Sequence, residues 1–185
     1  MIDPTNITNF NQTDDELEEV LLFWICVAGK TASVVSRQLN NLLNSLKGST
    51  PFDKIRGVGE ERLPITLKEF GIGCYNSKAK SLWQLVNSNI NLRTCSVDDL
   101  EKIHGVGRKT SRCFIIHSRS DAKYAGLDTH ILKFLRAKGH DVPASTPASK
   151  RLYLEIEKLF LQYVMRSKKS VAEFDLDIWR SYARG

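Results

Sequence analysis

From Val20 to Ala28 the chain reads Val-Leu-Leu-Phe-Trp-Ile-Cys-Val-Ala, nine apolar residues in a row. A helix built from such a run is apolar nearly all round. It has no face to give to water, so it must lie buried at the centre of whatever the chain folds into. Thr13-Asp14-Asp15-Glu16 is a capping box ahead of the run and predicts a helix over 14–28. Residues 31–46 repeat Val34, Val35, Leu39, Leu42, Leu43 and Leu46 at helical spacing, and Gly48-Ser49-Thr50-Pro51 closes them. Residues 52–71 read as one or two short helices broken at Leu63-Pro64, with Gly57-Val58-Gly59 as a turn. Ser77 is a cap for a helix over 78–90, and Ser96-Val97-Asp98-Asp99 opens a short one over 97–103. Further helices are expected over 108–118 and 128–138, from Pro147 to about 166, and over 170–182. No stretch alternates with a period of two for long enough to make a strand, so the fold class is all-α.

The 185 residues suit one compact domain or two small lobes sharing a cleft, and 42% hydrophobic content is enough for a core. The net charge is +6, and it is unevenly spread. Residues 101–140 hold nine Lys or Arg against Glu101, Asp121 and Asp128, whereas the first thirty hold six acids and only Lys30. A polyanion would therefore meet the second half. Cys26, Cys74, Cys95 and Cys113 are too far apart for a zinc or iron–sulfur site, and Cys26 and Cys113 sit in apolar runs as core thiols. No leader and no membrane-spanning run is seen, so the expectation is a soluble, intracellular monomer without cofactor or metal.

Ile103-His104-Gly105-Val106-Gly107-Arg108-Lys109 is a glycine hairpin opening into a helix. Two residues without Cβ allow the backbone to approach a ligand closely, and the uncapped helix start offers N–H groups to a phosphate. Lys102, His104 and Arg108 flank it. Such a clamp reads DNA backbone and not sequence, and an ordinary helical corner has the same look. Lys109 lies in the first turn after the hairpin. A lysine amine there can attack the anomeric carbon of a nucleotide and form a Schiff base, or it can simply contact a phosphate. Nineteen positions on, Asp128 begins an apolar helix, Ile131-Leu132-Lys133-Phe134-Leu135. It can cap that helix, or it can stabilise an oxocarbenium-like sugar and help deprotonate the amine. Lys109 and Asp128 acting together describe an attack on a DNA sugar.

Ile-His-Gly-Val-Gly-Arg-Lys-Thr followed by Leu-Asp-Thr-His-Ile resembles the helix–hairpin–helix DNA glycosylase superfamily. Tyr75-Asn76-Ser77-Lys78-Ala79 is similar to a loop of endonuclease III, whose carboxy-terminal four-cysteine cluster this chain lacks. Residues 149–157 and Phe174-Asp175-Leu176-Asp177-Ile178-Trp179 resemble the archaeal-type second family of 8-oxoguanine DNA glycosylases. The resemblance implies two helical lobes with the hairpin between them, Lys109 as Schiff-base nucleophile and Asp128 as catalytic carboxylate. The implied substrate is double-stranded DNA with a damaged base, the base being excised and the strand then cut by β-elimination. Three departures stand out. Gly29-Lys30 replaces the Gln or Asn that fills the gap left by a flipped nucleotide, with Lys30 available for that role. His104 replaces a proline. Where the family carries a pocket lysine at its extreme carboxy-terminus, this chain reads Tyr182-Ala183-Arg184-Gly185.

A flipped base needs an aromatic or apolar receptor. Trp179, Phe174 and Tyr75 are the candidates, with Trp24 assigned to the core. Asp175 or Asp177 could accept from a ring N–H of an oxidised purine, although a packed tail helix with solvated acids reads equally well. His117 and His140 have no partner at metal spacing, His130 braces a helix start, and Lys168-Lys169 is an exposed pair. One lobe is expected over 30–125 and the other over 1–29 plus 126–185, with Lys109 and Asp128 facing each other at the cleft. The competing functions are a glycosylase/lyase for oxidised pyrimidines or another modified base, and a non-catalytic helix–hairpin–helix DNA-binding module.

Overall fold

The structure, a computed structural model, describes residues 1–182; the tail residues 183–185 lie outside the described residues. Ten helices follow one another: α1 (Asp14–Val27), α2 (Ala32–Ser45), α3 (Pro51–Val58), α4 (Leu63–Glu69), α5 (Tyr75–Val86), α6 (Val97–Leu100), α7 (Arg108–Ser118), α8 (Thr129–Ala137), α9 (Lys150–Ser167) and α10 (Val171–Tyr182). Among the described residues there is no strand, and no helix is long and apolar enough to cross a membrane. The all-α expectation holds. Three helix starts differ from it. Leu63-Pro64 opens α4 instead of breaking a helix, because a proline in the first turn gives up only an N–H that has no helical partner. Helix α5 begins at Tyr75, ahead of Ser77, with Cys74 turned into the left-handed region at φ 57°. Helix α9 begins at Lys150 because the Ser149 side chain accepts from Leu152 N, so Pro147 stays in the preceding loop.

Two apolar cores result. The first joins Ile7, α1 to α6 and the inner face of α7, including Leu21, Leu22, Leu42, Ile55, Leu82 and Phe114. The second joins Ile116 of α7 with Ala125, Leu127, α8, α9 and most of α10. The sequence pattern assigns residues 1–29 to the carboxy-terminal lobe, but α1 instead fills the first core. A helix that buries Leu17, Val20, Leu21, Leu22, Phe23, Ile25 and Cys26 needs cover on several sides, and α2, α3, α5 and α7 supply it. The Lys78 ammonium is buried too, donating to the Cys26 carbonyl at the end of α1, and burial lowers its pKa.

Helix α7 divides the two cores, and every residue from Thr110 to Ser118 on it is buried. Five of these are polar, and the side chains of Ser111, Arg112, His117 and Ser118 offset their burial with hydrogen bonds. Arg112 donates through Nε to Glu157 of α9 (2.8 Å) and through Nη1 to Glu101 beside the hairpin (2.7 Å), with its guanidinium 4.9 Å from the centre of the Tyr153 ring. Glu157 also accepts from Ala125 N (2.8 Å). The Tyr153 hydroxyl donates to the Ala125 carbonyl (2.7 Å) and accepts from Leu127 N (3.0 Å). One cation thus ties the hairpin, α7, α9 and the segment before α8 into a unit.

Glu157→Ala would leave Arg112, only 5% exposed, with Glu101 as its one remaining carboxylate, and would leave Ala125 N without an acceptor. The expected cost is about 3–5 kcal/mol, the penalty for breaking a buried pair. Tyr153→Phe removes two buried hydrogen bonds and should cost roughly 1–3 kcal/mol. Urea denaturation measures both, and a midpoint unchanged in either variant would show that this network carries no stability.

Candidate active site

Val97-Asp98-Asp99-Leu100 forms α6 because Ser96 and Asp99 make a reciprocal capping box. The chain then turns through Gly105 at φ +73°, a conformation that favours glycine, and a Cβ there would come 2.8 Å from Ser81 Oγ. Gln84 of α5 clamps the turn on both sides, accepting from His104 N at 2.7 Å and donating to the Lys102 carbonyl at 3.1 Å. Val106 is buried and docks the hairpin tip. Gly107 starts α7 without any side-chain cap, so the first-turn N–H groups keep their capacity for an outside acceptor. Arg108 is anchored to the Ala148 carbonyl (3.0 Å), and Lys102 is exposed and paired with Asp99 (2.9 Å).

Beside this helix start lies a cavity of about 760 Å³, bounded by α1, α7, α8 and α10. Lys109, Asp128, Asp175, Trp179 and Lys30 all line it. Gly126 makes the approach of Asp128 to α7 possible, since a Cβ on it would overlap Cys113 Sγ. Tyr153 holds Leu127 N and Thr146 holds the Leu127 carbonyl (2.7 Å), so the residue before Asp128 is fixed on both sides. Asp128 does cap α8, yet both bonds, from His130 N and Ile131 N at 2.9 Å, go to Oδ1. Among the described residues Oδ2 makes no hydrogen bond. Burial raises the Asp128 pKa, and the nearby Asp175 carboxylate adds to the rise, while the Ile131 N–H bond and Lys109 oppose it.

Three expected pocket residues lie elsewhere. Phe174 packs edge-on against Phe134 (5.7 Å) and beside Phe160 (5.6 Å), filling the second core. Asp177 is two positions from Asp175, so the helical turn carries it to another face, where it meets Lys169 (2.5 Å) and Arg180 (3.8 Å). Tyr75 sits at the start of α5 with the Lys68 ammonium 5.6 Å from its ring centre. Other residues, unmarked by any motif, form the wall instead. Trp24, in sequence a core residue, lines the cavity and stacks on His117 (5.5 Å, 12°). The amino-terminal stretch Asp3, Pro4, Thr5 and Ile7 forms another part of the wall, which nothing in the sequence signals.

The electrostatics of Asp128 give a stability signature. Its proton is held more tightly in the folded chain than in the unfolded one, so stability falls as the pH rises from the unfolded-state pKa through the folded-state value. Asp128→Asn removes that penalty and keeps an oxygen for the α8 cap. Its melting temperature should exceed that of the native chain at neutral pH, with the gap closing below about pH 4, where both forms are uncharged. Calorimetry across pH checks this, and identical melting curves at every pH would show that Asp128 ionises without cost.

No protein-family model matches the chain. Solved structures do. The 8-oxoguanine DNA glycosylase of Methanocaldococcus jannaschii superposes with a TM-score of 0.74 at 24% identity, covering 97% of this chain and 83% of that one. The 8-oxoguanine glycosylase/lyase of the same organism, in complex with a 15-mer DNA containing 8-oxoguanine, gives 0.72 at 23% identity over 95% and 84%. The 8-oxoguanine DNA glycosylase of Thermotoga maritima gives 0.73 at 22% identity over 93% and 82%. The chain has the all-helical fold of these DNA glycosylases.

Proposed function

We propose that this chain is a DNA glycosylase with lyase activity, that its substrate is double-stranded DNA bearing an oxidised purine, and that 8-oxoguanine is the base it excises. One observation carries the reading: the Lys109 side chain and the Asp128 carboxylate open onto a single cavity at the uncapped start of α7. Binding DNA needs neither a nucleophile nor a carboxylate held at a desolvation cost. The shared fold with 8-oxoguanine glycosylases supports the substrate class.

The hairpin N–H groups receive a backbone phosphate, and the damaged nucleotide swings out into the cavity. Trp179 offers a face to the base, and Asp175 accepts from its edge. Lys30, which lines the cavity at the turn after α1, enters the gap in the duplex on this reading. Asp128, once ionised, stabilises positive charge developing on the sugar as the C1′–N bond breaks and electrons leave with the base. The Lys109 amine forms a bond to C1′ and gives up one proton, and the C1′–O4′ bond then breaks, O4′ taking a proton and leaving a protonated imine between Lys109 and C1′. Removal of a C2′ proton then expels the 3′-oxygen and cuts the strand.

Borohydride trapping on duplexes carrying single lesions tests this directly. A covalent adduct is expected with 8-oxoguanine and with an abasic site, and it should vanish in Lys109→Gln. Adducts on oxidised pyrimidines alone would move the substrate class. Binding without any adduct, on any duplex, would leave a non-catalytic DNA-binding module.

Trp179→Ala should slow excision roughly 10- to 100-fold, since base–aromatic stacking is worth about 1–3 kcal/mol. Cleavage at a ready-made abasic site should suffer far less, because no base remains to stack. Equal losses on the two substrates would make Trp179 a packing residue.

A further inference from the structure

His117 is buried, with only 1% of its side chain exposed, yet it forms part of the cavity wall and both of its ring nitrogens are engaged. Nδ1 lies 2.8 Å from Thr8 Oγ1 of the amino-terminal segment, and Nε2 lies 3.3 Å from Asp175 Oδ2 on α10. Trp24 stacks on the ring and fixes its plane. Asn9 N donates to the His117 backbone carbonyl (3.1 Å), locking the segment to α7 a second time. A carboxylate can only accept, so Nε2 carries the hydrogen, and Thr8 satisfies the other side of the ring. Asp175 is 14% exposed, and among the described residues its Oδ1 has no partner. A hydroxyl, an imidazole and a carboxylate in a row can also activate a nucleophile. Here Thr8 lies outside the cavity lining, so the row ends in the carboxylate.

We propose that His117 is a positioning residue for base selection. It holds one oxygen of Asp175 so that the other is presented to the ring N–H of the flipped base, and Thr8 of the amino-terminal segment fixes the ring in turn. This rests on the glycosylase reading above and adds to it a residue and a chain segment that act on the substrate only through Asp175. An acceptor oxygen in that position selects a base with a hydrogen on the ring nitrogen that faces α10, and the glycosylase reading makes that base an oxidised purine. The same contact rejects a base with a bare nitrogen there, because two acceptors would then oppose each other. Lys109 and Asp128 do not touch His117 in this scheme, so the lyase step is separable from it.

The test compares single-turnover excision of the lesion with cleavage of a preformed abasic site in the same duplex. His117→Asn places its amide near the Nδ1 position and cannot reach Asp175, whereas His117→Gln extends a donor to the Nε2 position. Excision by His117→Asn should fall roughly 10- to 100-fold, the scale of one misplaced hydrogen bond to a charged group. Abasic-site cleavage by the same variant should change less than about threefold, and His117→Gln should recover most of the excision rate. Thr8→Val, which alters only the far end and leaves the core intact, should lower excision several-fold in the same selective way. Nitrogen-15 spectra of the native imidazole should show a hydrogen on Nε2. Equal loss on both substrates, failure of His117→Gln to outperform His117→Asn, or a bare Nε2 would overturn the proposal. A native chain that cleaves neither duplex would instead bring down the glycosylase reading, and this inference with it.

Discussion

The contact between Arg112 and Glu157 is what the rest of this molecule depends on. A guanidinium placed in the middle of a buried helix is tolerable only with carboxylates on it, and here it has two, from opposite ends of the fold. Glu101 belongs to the turn that leads into the hairpin, and Glu157 belongs to the long helix of the second core. Because Glu157 also holds Ala125 N, and Tyr153 holds the Ala125 carbonyl and Leu127 N, the ion pair fixes the path of the chain into Asp128. The same charge therefore positions the hairpin and the carboxylate. Apolar residues of equal volume could stabilise the fold as well or better, but they would not fix the direction in which residues 125–128 leave α7.

Much of this is legible in the amino-acid sequence. The capping boxes at Thr13 and Ser96 mark true helix starts, and the run from Val20 identifies a central helix. The hairpin, Lys109 and Asp128 stand out because their chemistry demands particular residue types at local spacing. What escapes is non-local. His117 and Trp24 are 93 positions apart, and neither has a neighbour in sequence that hints at a stack. Each therefore reads as ordinary. Asp175 and Asp177 cannot be separated by composition, and only the rotation of α10 decides which meets the cavity. The place of α1 is hidden for a related reason: an all-apolar helix must be enclosed, but its sequence does not say by which partners.

The cavity concentrates unlike demands. Asp128 is kept where ionising is unfavourable, and its neighbour Asp175 makes matters worse. A fold optimised only for stability would replace one of them. Retaining both means that the site is held in tension by the surrounding hydrogen bonds, which in this chain come from backbone at α8 and from a histidine facing α10. In the proposed reaction, charge that is poorly solvated at rest is charge ready to respond to a positive sugar, with little reorganisation left to do.

The amino-terminal wall has a consequence for how the molecule is made. Thr5 is gripped through its carbonyl by Arg180 at 2.5 Å, and Ser36 holds the Ile2 carbonyl. Residues near the start of the chain are thus completed by residues made much later. Helices α1 to α6 can condense on their own apolar surfaces during synthesis, but the cavity must wait for α10 to arrive and close over the opening segment. A nascent chain would carry the glycine hairpin well before it owned a pocket, so on the glycosylase reading proposed above the capacity to touch a phosphate precedes the capacity to receive a base.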